Sequence, residues 1–171
     1  MEDLAGLNAL DREAFVACLG HVFEHSPWVA ERTWPDRPFE SLDHLHARMV
    51  AAVARATRDE QVALIRAHPE LLGRLPQSTP LSAQSHAEQG AAGLRDADGA
   101  ELERLAALNA AYRVKFGFPF ILAIRGKGRP EILASLAERL ANSPEREFAQ
   151  CLAQIARIAR FRLEDLVAHG S

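Results

Sequence analysis

Hydrophobic residues recur along most of the chain at steps of three and four positions, the spacing that places side chains on one face of an α-helix. The segment 41–57 shows this clearly, with an apolar stripe that consists of Leu42, Leu45, Met49, Ala52, Val53 and Ala56. Ser41 is predicted to cap this helix, because its hydroxyl can accept a hydrogen bond from a first-turn amide. Alternation of period two, which is typical of β-strands, is nearly absent. The pattern predicts an all-α, single-domain bundle of about eight helices over residues 1–171.

Residue types at the predicted helix starts support this fold. Thr57 and Glu60 have the spacing of a capping box, and another apolar stripe begins after Gly99. Pro130 and Pro144 each precede a further stripe, and proline suits the first turn of a helix because the amide hydrogen it lacks is not used there. These signals predict four helices after the one that begins at Ser41.

Two segments, 67–89 and 116–124, interrupt the helical pattern. In the second, Pro119 removes an amide donor and disfavours a helical conformation at Phe118. Extended backbone in a helical protein has no neighbouring strand, so its N–H groups must bond to helix termini, water or a ligand. We expect one extended apolar segment that lines a ligand pocket, although simple filling of the core explains the same pattern.

Composition narrows the class of partner. The chain has 171 residues, of which 48% are hydrophobic and 25% charged, and its net charge is -3. Basic residues neither outnumber acidic ones nor cluster, so no nucleic-acid partner is expected. The longest apolar stretch, 116–124, is shorter than the ~20 residues that a membrane span needs. The acidic start lacks the basic region of a signal peptide and the C-terminus lacks a Ser-Lys-Leu ending, so a cytoplasmic location is expected.

Candidate acid–base residues lie in the first interruption. His68 precedes Pro69 at a predicted helix end, which suits a fixed proton donor or acceptor, but equally a histidine favoured by the helix dipole. Ser85 and Glu88 fit a capping box. Glu88 and Gln89 also precede a run of small residues, which leaves room either for a ligand or for a neighbouring helix. The spacing alone leaves these alternatives open.

Two charged residues elsewhere have contrasting patterns. Arg162 lies on an apolar stripe, four positions from both Ile158 and Leu166, so its buried guanidinium would need anionic or carbonyl partners, in the protein or in a ligand. Glu24 fits either a pocket acid or a solvated charge near a helix end, and the pattern favours the interpretation as a solvated charge.

A metal site is a weaker alternative. His21, Glu24 and His25 match the HxxEH pattern of inverted zinc peptidases, in which two histidines on one helical face hold zinc and the glutamate acts as base. No third ligand is evident nearby, and Pro27 would end the helix directly afterwards. No metal site is therefore expected, and a zinc hydrolase remains a minor alternative. The other alternative is a non-catalytic helical binding module in which His68, Ser85 and Glu88 are only caps.

Five blocks resemble the signature segments of the OHCU decarboxylase family, in family order: 23–28, 67–71, 85–89, 112–121 and 158–163. These enzymes convert 2-oxo-4-hydroxy-4-carboxy-5-ureidoimidazoline (OHCU) to (S)-allantoin during urate degradation. The resemblance covers about residues 15 to 167. It implies a carboxy-lyase with an all-α fold, no metal or organic cofactor, OHCU as small-molecule substrate and often a homodimer.

The same resemblance implies roles for individual residues. His68 would be the catalytic histidine, and Glu88 the carboxylate that orients or deprotonates the substrate. The residues implied to bind substrate are Pro69, Ser85, Gln89, Phe118, Pro119, Phe120, Ile121, Leu122 and Arg162.

Overall fold

A computed structural model of the chain describes residues 3–71, 84, 87, 88 and 99–168. Within these ranges the α-helices are α1 (Leu4–Ala9), α2 (Arg12–Leu19), α3 (Trp28–Thr33), α4 (Leu42–Ala54), α5 (Arg58–Ala67), α6 (Gly99–Phe116), α7 (Arg129–Arg139) and α8 (Pro144–Ala168). A 3-10 turn, Trp34–Asp36, follows α3, and Gln84, Ala87 and Glu88 are also helical. No β-strand occurs among the described residues. The predicted all-α class is confirmed. None of the described helices is long and apolar enough to cross a membrane.

The helix starts follow the local signals in the sequence. Ser41 caps α4 by accepting a hydrogen bond from the His44 N–H at 3.0 Å. Thr57 and Glu60 form the predicted capping box, in which each side chain accepts from the other residue's N–H, at 2.9 and 3.2 Å. The start of α8 at Pro144 is confirmed, whereas α7 begins one residue before Pro130.

The chain divides into two compact units. The first contains residues Met1–Leu64 and Ala156–Ser171, and the second contains Ile65–Ile155, so the division falls within α5 and within α8. Fully buried side chains of the first unit include Leu7, Phe15, Leu19, Leu45 and Met49. Those of the second unit include Tyr112, Phe120, Ile132, Leu136 and Cys151.

A buried segment without helical structure, 118–124, separates α6 from α7 in the second unit. Gly117 ends α6 with φ of 74°, the left-handed conformation that glycine adopts without steric cost, and its N–H bonds to the Arg113 carbonyl at 2.8 Å. Pro119 then prevents the helix from continuing. The predicted interruption by an apolar segment is confirmed, and its lining of a pocket stays a prediction.

Candidate functional site

His68 lies directly after the last residue of α5 and is only 5% exposed. Its backbone N–H donates to the Ile65 carbonyl at 3.2 Å, and Pro69, which follows it, is half-buried. Proline restricts the conformations open to the residue before it. The backbone that carries the imidazole is therefore restrained on both sides.

Side chains of α6 hold the turn that follows His68. Arg113 Nε lies 2.8 Å from Glu70 Oε1, and the Asn109 side-chain amide donates to the Leu71 carbonyl at 3.0 Å. Glu70 and Asn109 are both buried. Neither Asn109 nor Arg113 was predicted from the sequence. Helical phase was a usable signal for Asn109, because it lies on the stripe with the buried residues Leu105 and Tyr112.

Glu88 is helical and half-buried, and it belongs to the same unit as His68. Ser85 and Gln89 lie outside the described residues. The roles of Glu88, Ser85 and Gln89 therefore stay predictions.

The five residues of the apolar segment named from the sequence are all buried; they are Phe118, Pro119, Phe120, Ile121 and Leu122. The Ile121 carbonyl accepts a hydrogen bond from Arg139 Nη1 at 2.5 Å, and the Ala123 N–H donates to Gln154 Oε1 at 3.0 Å. The Arg139 guanidinium also lies over the Phe120 ring, 4.4 Å from its centroid. The sequence predicted that the polar backbone groups of this segment need hydrogen-bond partners outside a helix. Buried side chains from α7 and α8 provide two such partners.

A buried ionic cluster surrounds that contact. Arg139 Nε lies 2.8 Å from Glu147 Oε1, which also accepts from Arg139 Nη2 and from the Tyr112 hydroxyl. Asn142 donates to the other oxygen of Glu147 at 2.8 Å. The Tyr112 hydroxyl lies 3.3 Å from Cys151 Sγ. A carboxylate that is 0% exposed is thus surrounded by donors, as a buried charge requires.

Burial also raises the pKa of two side chains in this cluster, Tyr112 and Cys151. Burial, followed by the neighbouring Cys151 and Glu147, raises the pKa of Tyr112 well above its usual value. Burial raises the pKa of the Cys151 thiol to about 11. Both side chains therefore keep their protons at neutral pH, so they act as hydrogen-bond donors and not as nucleophiles.

Arg162 and Glu24 form a buried ion pair in the first unit. Arg162 Nη1 lies 2.9 Å from Glu24 Oε2, and the two side chains are 3% and 0% exposed. Arg162 Nη1 also lies 3.4 Å from the His21 carbonyl and 3.5 Å from the Val22 carbonyl. The expected burial of Arg162 is confirmed. The interpretation of Glu24 as a solvated charge is wrong, because the turn between α2 and α3 directs this carboxylate inward to meet Arg162.

The helix on which the zinc alternative depended does not form. The helix α2 ends at Leu19 and α3 begins at Trp28, so the HxxEH residues lie in turns, with His25 at φ of 47°. His21 and His25 therefore do not share a helical face, and the expectation of a helix that continues to His25 is wrong. Burial, together with the charge of Arg162, lowers the pKa of His21. Across residues 3–71, 84, 87, 88 and 99–168, no three His, Cys, Asp or Glu side chains are placed to hold a metal ion.

A surface depression of about 530 Å³ in the first unit contains none of the residues predicted to form the site. It is lined by Arg32, Ala52, Arg55, Thr57 and Glu60. Two of these lining residues form an ion pair, with Arg32 Nη2 2.5 Å from Glu60 Oε1.

Comparison with known proteins identifies the family. The OHCU decarboxylase family model matches residues 8–164. An OHCU decarboxylase of Halalkalicoccus jeotgali is 41% identical, over 94% of this chain and 89% of its own. The bifunctional uric acid degradation protein PucL of Bacillus subtilis is 44% identical over 94% of this chain, which spans only 32% of PucL. A crystal structure of (S)-allantoin synthase superimposes with a TM-score of 0.80 at 32% identity, over 98% of this chain and 54% of that one. On this evidence the chain belongs to the OHCU decarboxylase family.

Proposed function

We propose that this chain is a carboxy-lyase that converts OHCU to (S)-allantoin in urate degradation and requires no cofactor. The name of the Halalkalicoccus relative supports the reaction, and the name of the solved (S)-allantoin synthase supports the product. Within the chain, the observation that carries the proposal is the buried imidazole of His68, held at the end of α5 in one of the family-like blocks.

Decarboxylation of OHCU requires correctly positioned polar groups from the protein. Loss of CO₂ leaves an electron pair on a ring carbon, and the conjugated imidazoline ring can accept it without an organic cofactor. The protein then has to stabilise charge that moves onto ring nitrogen and oxygen, and to deliver one proton to one face of the ring. Fixed N–H donors suit the first task, and a histidine suits the second.

We assign the proton transfer to His68. Histidine is the side chain that ordinarily gains and loses a proton near neutral pH. The turn after His68 is tied to α6 through the Glu70–Arg113 ion pair and the Leu71–Asn109 hydrogen bond. A backbone held in this way limits the directions from which the imidazole can approach the ring. Delivery of the proton from one side would give one enantiomer of allantoin.

The other roles follow from the family resemblance. Glu88 is proposed to orient the substrate or to remove its proton. The proposed substrate-binding residues are Pro69, Ser85, Gln89, Phe118, Pro119, Phe120, Ile121, Leu122 and Arg162. For Arg162 this role would be additional to its ion pair with Glu24. A guanidinium that gripped the departing carboxylate would stabilise the substrate more than the transition state, so we assign Arg162 to a carbonyl group of the substrate.

The test is to add the purified protein to freshly generated OHCU and to follow the circular dichroism of the product. We expect (S)-allantoin to form faster than in the spontaneous reaction. His68→Ala should lower kcat at least ~10²-fold with little loss of stability. His44→Ala is the matched control, since His44 lies in none of the five family-like blocks and should leave kcat unchanged. Racemic allantoin at the spontaneous rate with the wild-type protein would refute the function. A fully active His68→Ala variant would remove His68 from the mechanism.

Further properties are proposed alongside the reaction. We propose that the chain folds as one domain, as the span of the family model, 8–164, suggests. The family resemblance supports a homodimer, which sedimentation equilibrium would detect as twice the 18.8 kDa mass of the chain. We also propose a cytoplasmic location. We propose no nucleic-acid partner, because acidic and basic residues are nearly balanced.

A further inference from the structure

The guanidinium of Arg139 bonds to a carboxylate and to the backbone of the apolar segment at the same time. Nε and Nη2 bond to Glu147 Oε1, while Nη1 donates to the Ile121 carbonyl at 2.5 Å. A guanidinium is planar and its N–H groups diverge at fixed angles. Once Glu147 holds one edge of the group, the direction of Nη1 is therefore set. The orientation of the Ile121 carbonyl is fixed by a buried charge and not by secondary structure.

The planarity of the peptide bond transmits this orientation to Leu122. Within one trans peptide unit the C=O and the following N–H point in opposite directions. Among the described residues, the peptide bond with cis geometry is the one between Arg37 and Pro38. The peptide bond between Ile121 and Leu122 is therefore trans. The Leu122 N–H therefore points away from Arg139. The next peptide unit donates its N–H, that of Ala123, to Gln154, so the Leu122 carbonyl points away from Gln154. Both backbone polar groups of Leu122 are turned away from the side chains that hold its neighbours.

The contact with Arg139 also affects the strength of the Leu122 N–H as a donor. A hydrogen bond from a cation to a carbonyl is stronger than one between neutral groups, and it polarises the peptide unit that accepts it. Leu122 is 7% exposed, so water screens this effect little. A fixed and polarised N–H in a water-poor environment is the type of donor that stabilises negative charge as it develops in a transition state.

We propose that Arg139, held by Glu147, is a positioning residue for the reaction, because it fixes and polarises the peptide unit that presents the Leu122 N–H to the substrate. This inference rests on the proposed function. The charge that Leu122 would stabilise is the one that moves onto the imidazoline ring as CO₂ leaves. Arg139 itself does not touch the substrate and acts through the Ile121 carbonyl.

The kinetic test is Arg139→Lys, which keeps the charge but loses the planar fork that reaches Glu147 and Ile121 together. We expect kcat to fall about 10- to 100-fold while KM changes less than about threefold, because the donor acts on charge that appears in the transition state. Glu147→Gln should lower kcat in the same way, since an amide holds the guanidinium less firmly. It also serves as the second variant if Arg139→Lys does not fold.

Two variants on the same helix serve as controls. Arg129→Lys alters another arginine of α7, whose guanidinium pairs with Glu101 of α6 at 3.3 Å, and kcat should stay unchanged. Leu136→Ala removes a fully buried side chain and lowers stability without removing a bond to Ile121. If Leu136→Ala lowers kcat as much as Arg139→Lys does, the effect is one of general stability and the inference is overturned.

A second readout does not depend on activity. In ¹⁵N-labelled protein without substrate, Arg139→Lys should shift the Leu122 amide proton upfield, because its peptide unit loses polarisation. An unchanged Leu122 shift, or an unchanged kcat in an active protein, would overturn this inference and leave the proposed function intact. A wild-type protein that does not act on OHCU would overturn the proposed function itself, and with it the catalytic part of the inference.

Discussion

The ion pair between Glu24 and Arg162 should contribute strongly to the stability of the first unit. Its atoms are 2.9 Å apart and both side chains are almost fully buried. At an effective dielectric constant of about 20, two unit charges at that distance attract by about 6 kcal/mol before the cost of desolvation. Glu24→Ala leaves a guanidinium that cannot lose its proton and removes the carboxylate at 2.9 Å, whereas the carbonyls of His21 and Val22, at 3.4 and 3.5 Å, carry no net charge. We therefore expect a loss of about 3–5 kcal/mol in the free energy of unfolding.

The positions of the tryptophans provide a local assay. Trp28 and Trp34 are the two tryptophans of the chain, and both belong to the unit that contains the ion pair. Their fluorescence during a urea titration therefore reports the unfolding of that unit, while far-UV circular dichroism reports all helices. With an m-value of about 2 kcal/mol/M, the fluorescence midpoint of Glu24→Ala should shift by on the order of 2 M urea.

Two comparisons decide whether burial is the cause. Arg160→Ala removes a more exposed arginine from the same helix, which pairs with Glu164 at 2.8 Å, and should cost less than about 1 kcal/mol. Replacement of Glu24 and Arg162 together by leucine should restore much of the lost stability, because an apolar pair needs no mutual charge compensation. A loss below about 1 kcal/mol in Glu24→Ala, or a double variant whose loss equals both single losses combined, would refute the reasoning.

Two further predictions concern the pH dependence of stability and the end of α6. Hydrogen bonds from Arg32, followed by Thr57, lower the pKa of Glu60 from 4.5 to about 2, so its contribution to stability is complete above pH 4.5 and is lost as pH falls towards 2. Urea titrations at several pH values should show the difference between wild type and Glu60→Gln shrinking over that window, and an unchanged difference would contradict the pairing. Gly117 has φ of 74° and open space around its Cβ position, so Gly117→Ala should cost about 1–2 kcal/mol for conformational reasons alone; thermal unfolding that shows no loss would contradict this.

Helix starts could be predicted from the sequence because their determinants are local. A cap such as Ser41 bonds to an amide three residues away, and Thr57 and Glu60 cap each other within one turn. The capping residue and the amide that it satisfies therefore appear in the same short stretch of sequence. Proline at position 119 predicted the break after α6 for the same reason, since its effect on the backbone reaches only its neighbours.

Arg162 is the buried charge that was predicted from the sequence, and it lies on a periodic helix. Arg162 lies between apolar residues of α8 at four-residue spacing, so its phase revealed its burial. Glu24 lies in a turn, where no periodicity distinguishes an inward carboxylate from a solvated one, and its partner is distant in the sequence. Arg139 was not predicted, although it shares a stripe with the buried Ile132 and Leu136 and the same argument from phase could have identified it. Helical phase does not identify the partner of a buried charge, because tertiary packing determines which charged side chains come into contact.

The apolar segment shows both a local signal in the sequence and tertiary contacts that the sequence does not reveal. Its sequence predicts that the backbone is not helical, so it lacks the hydrogen bonds that a helix would have provided. In the structure, the side chains of Arg139 and Gln154 make two of the backbone hydrogen bonds instead. A helix would point its N–H groups along its own axis, towards its own carbonyls. A segment that is held on one side by side chains can instead point selected N–H groups away from those side chains. An enzyme that stabilises charge without a cofactor needs such fixed donors. The buried cluster of Arg139 and Glu147 therefore links the break in the helical pattern to the proposed chemistry.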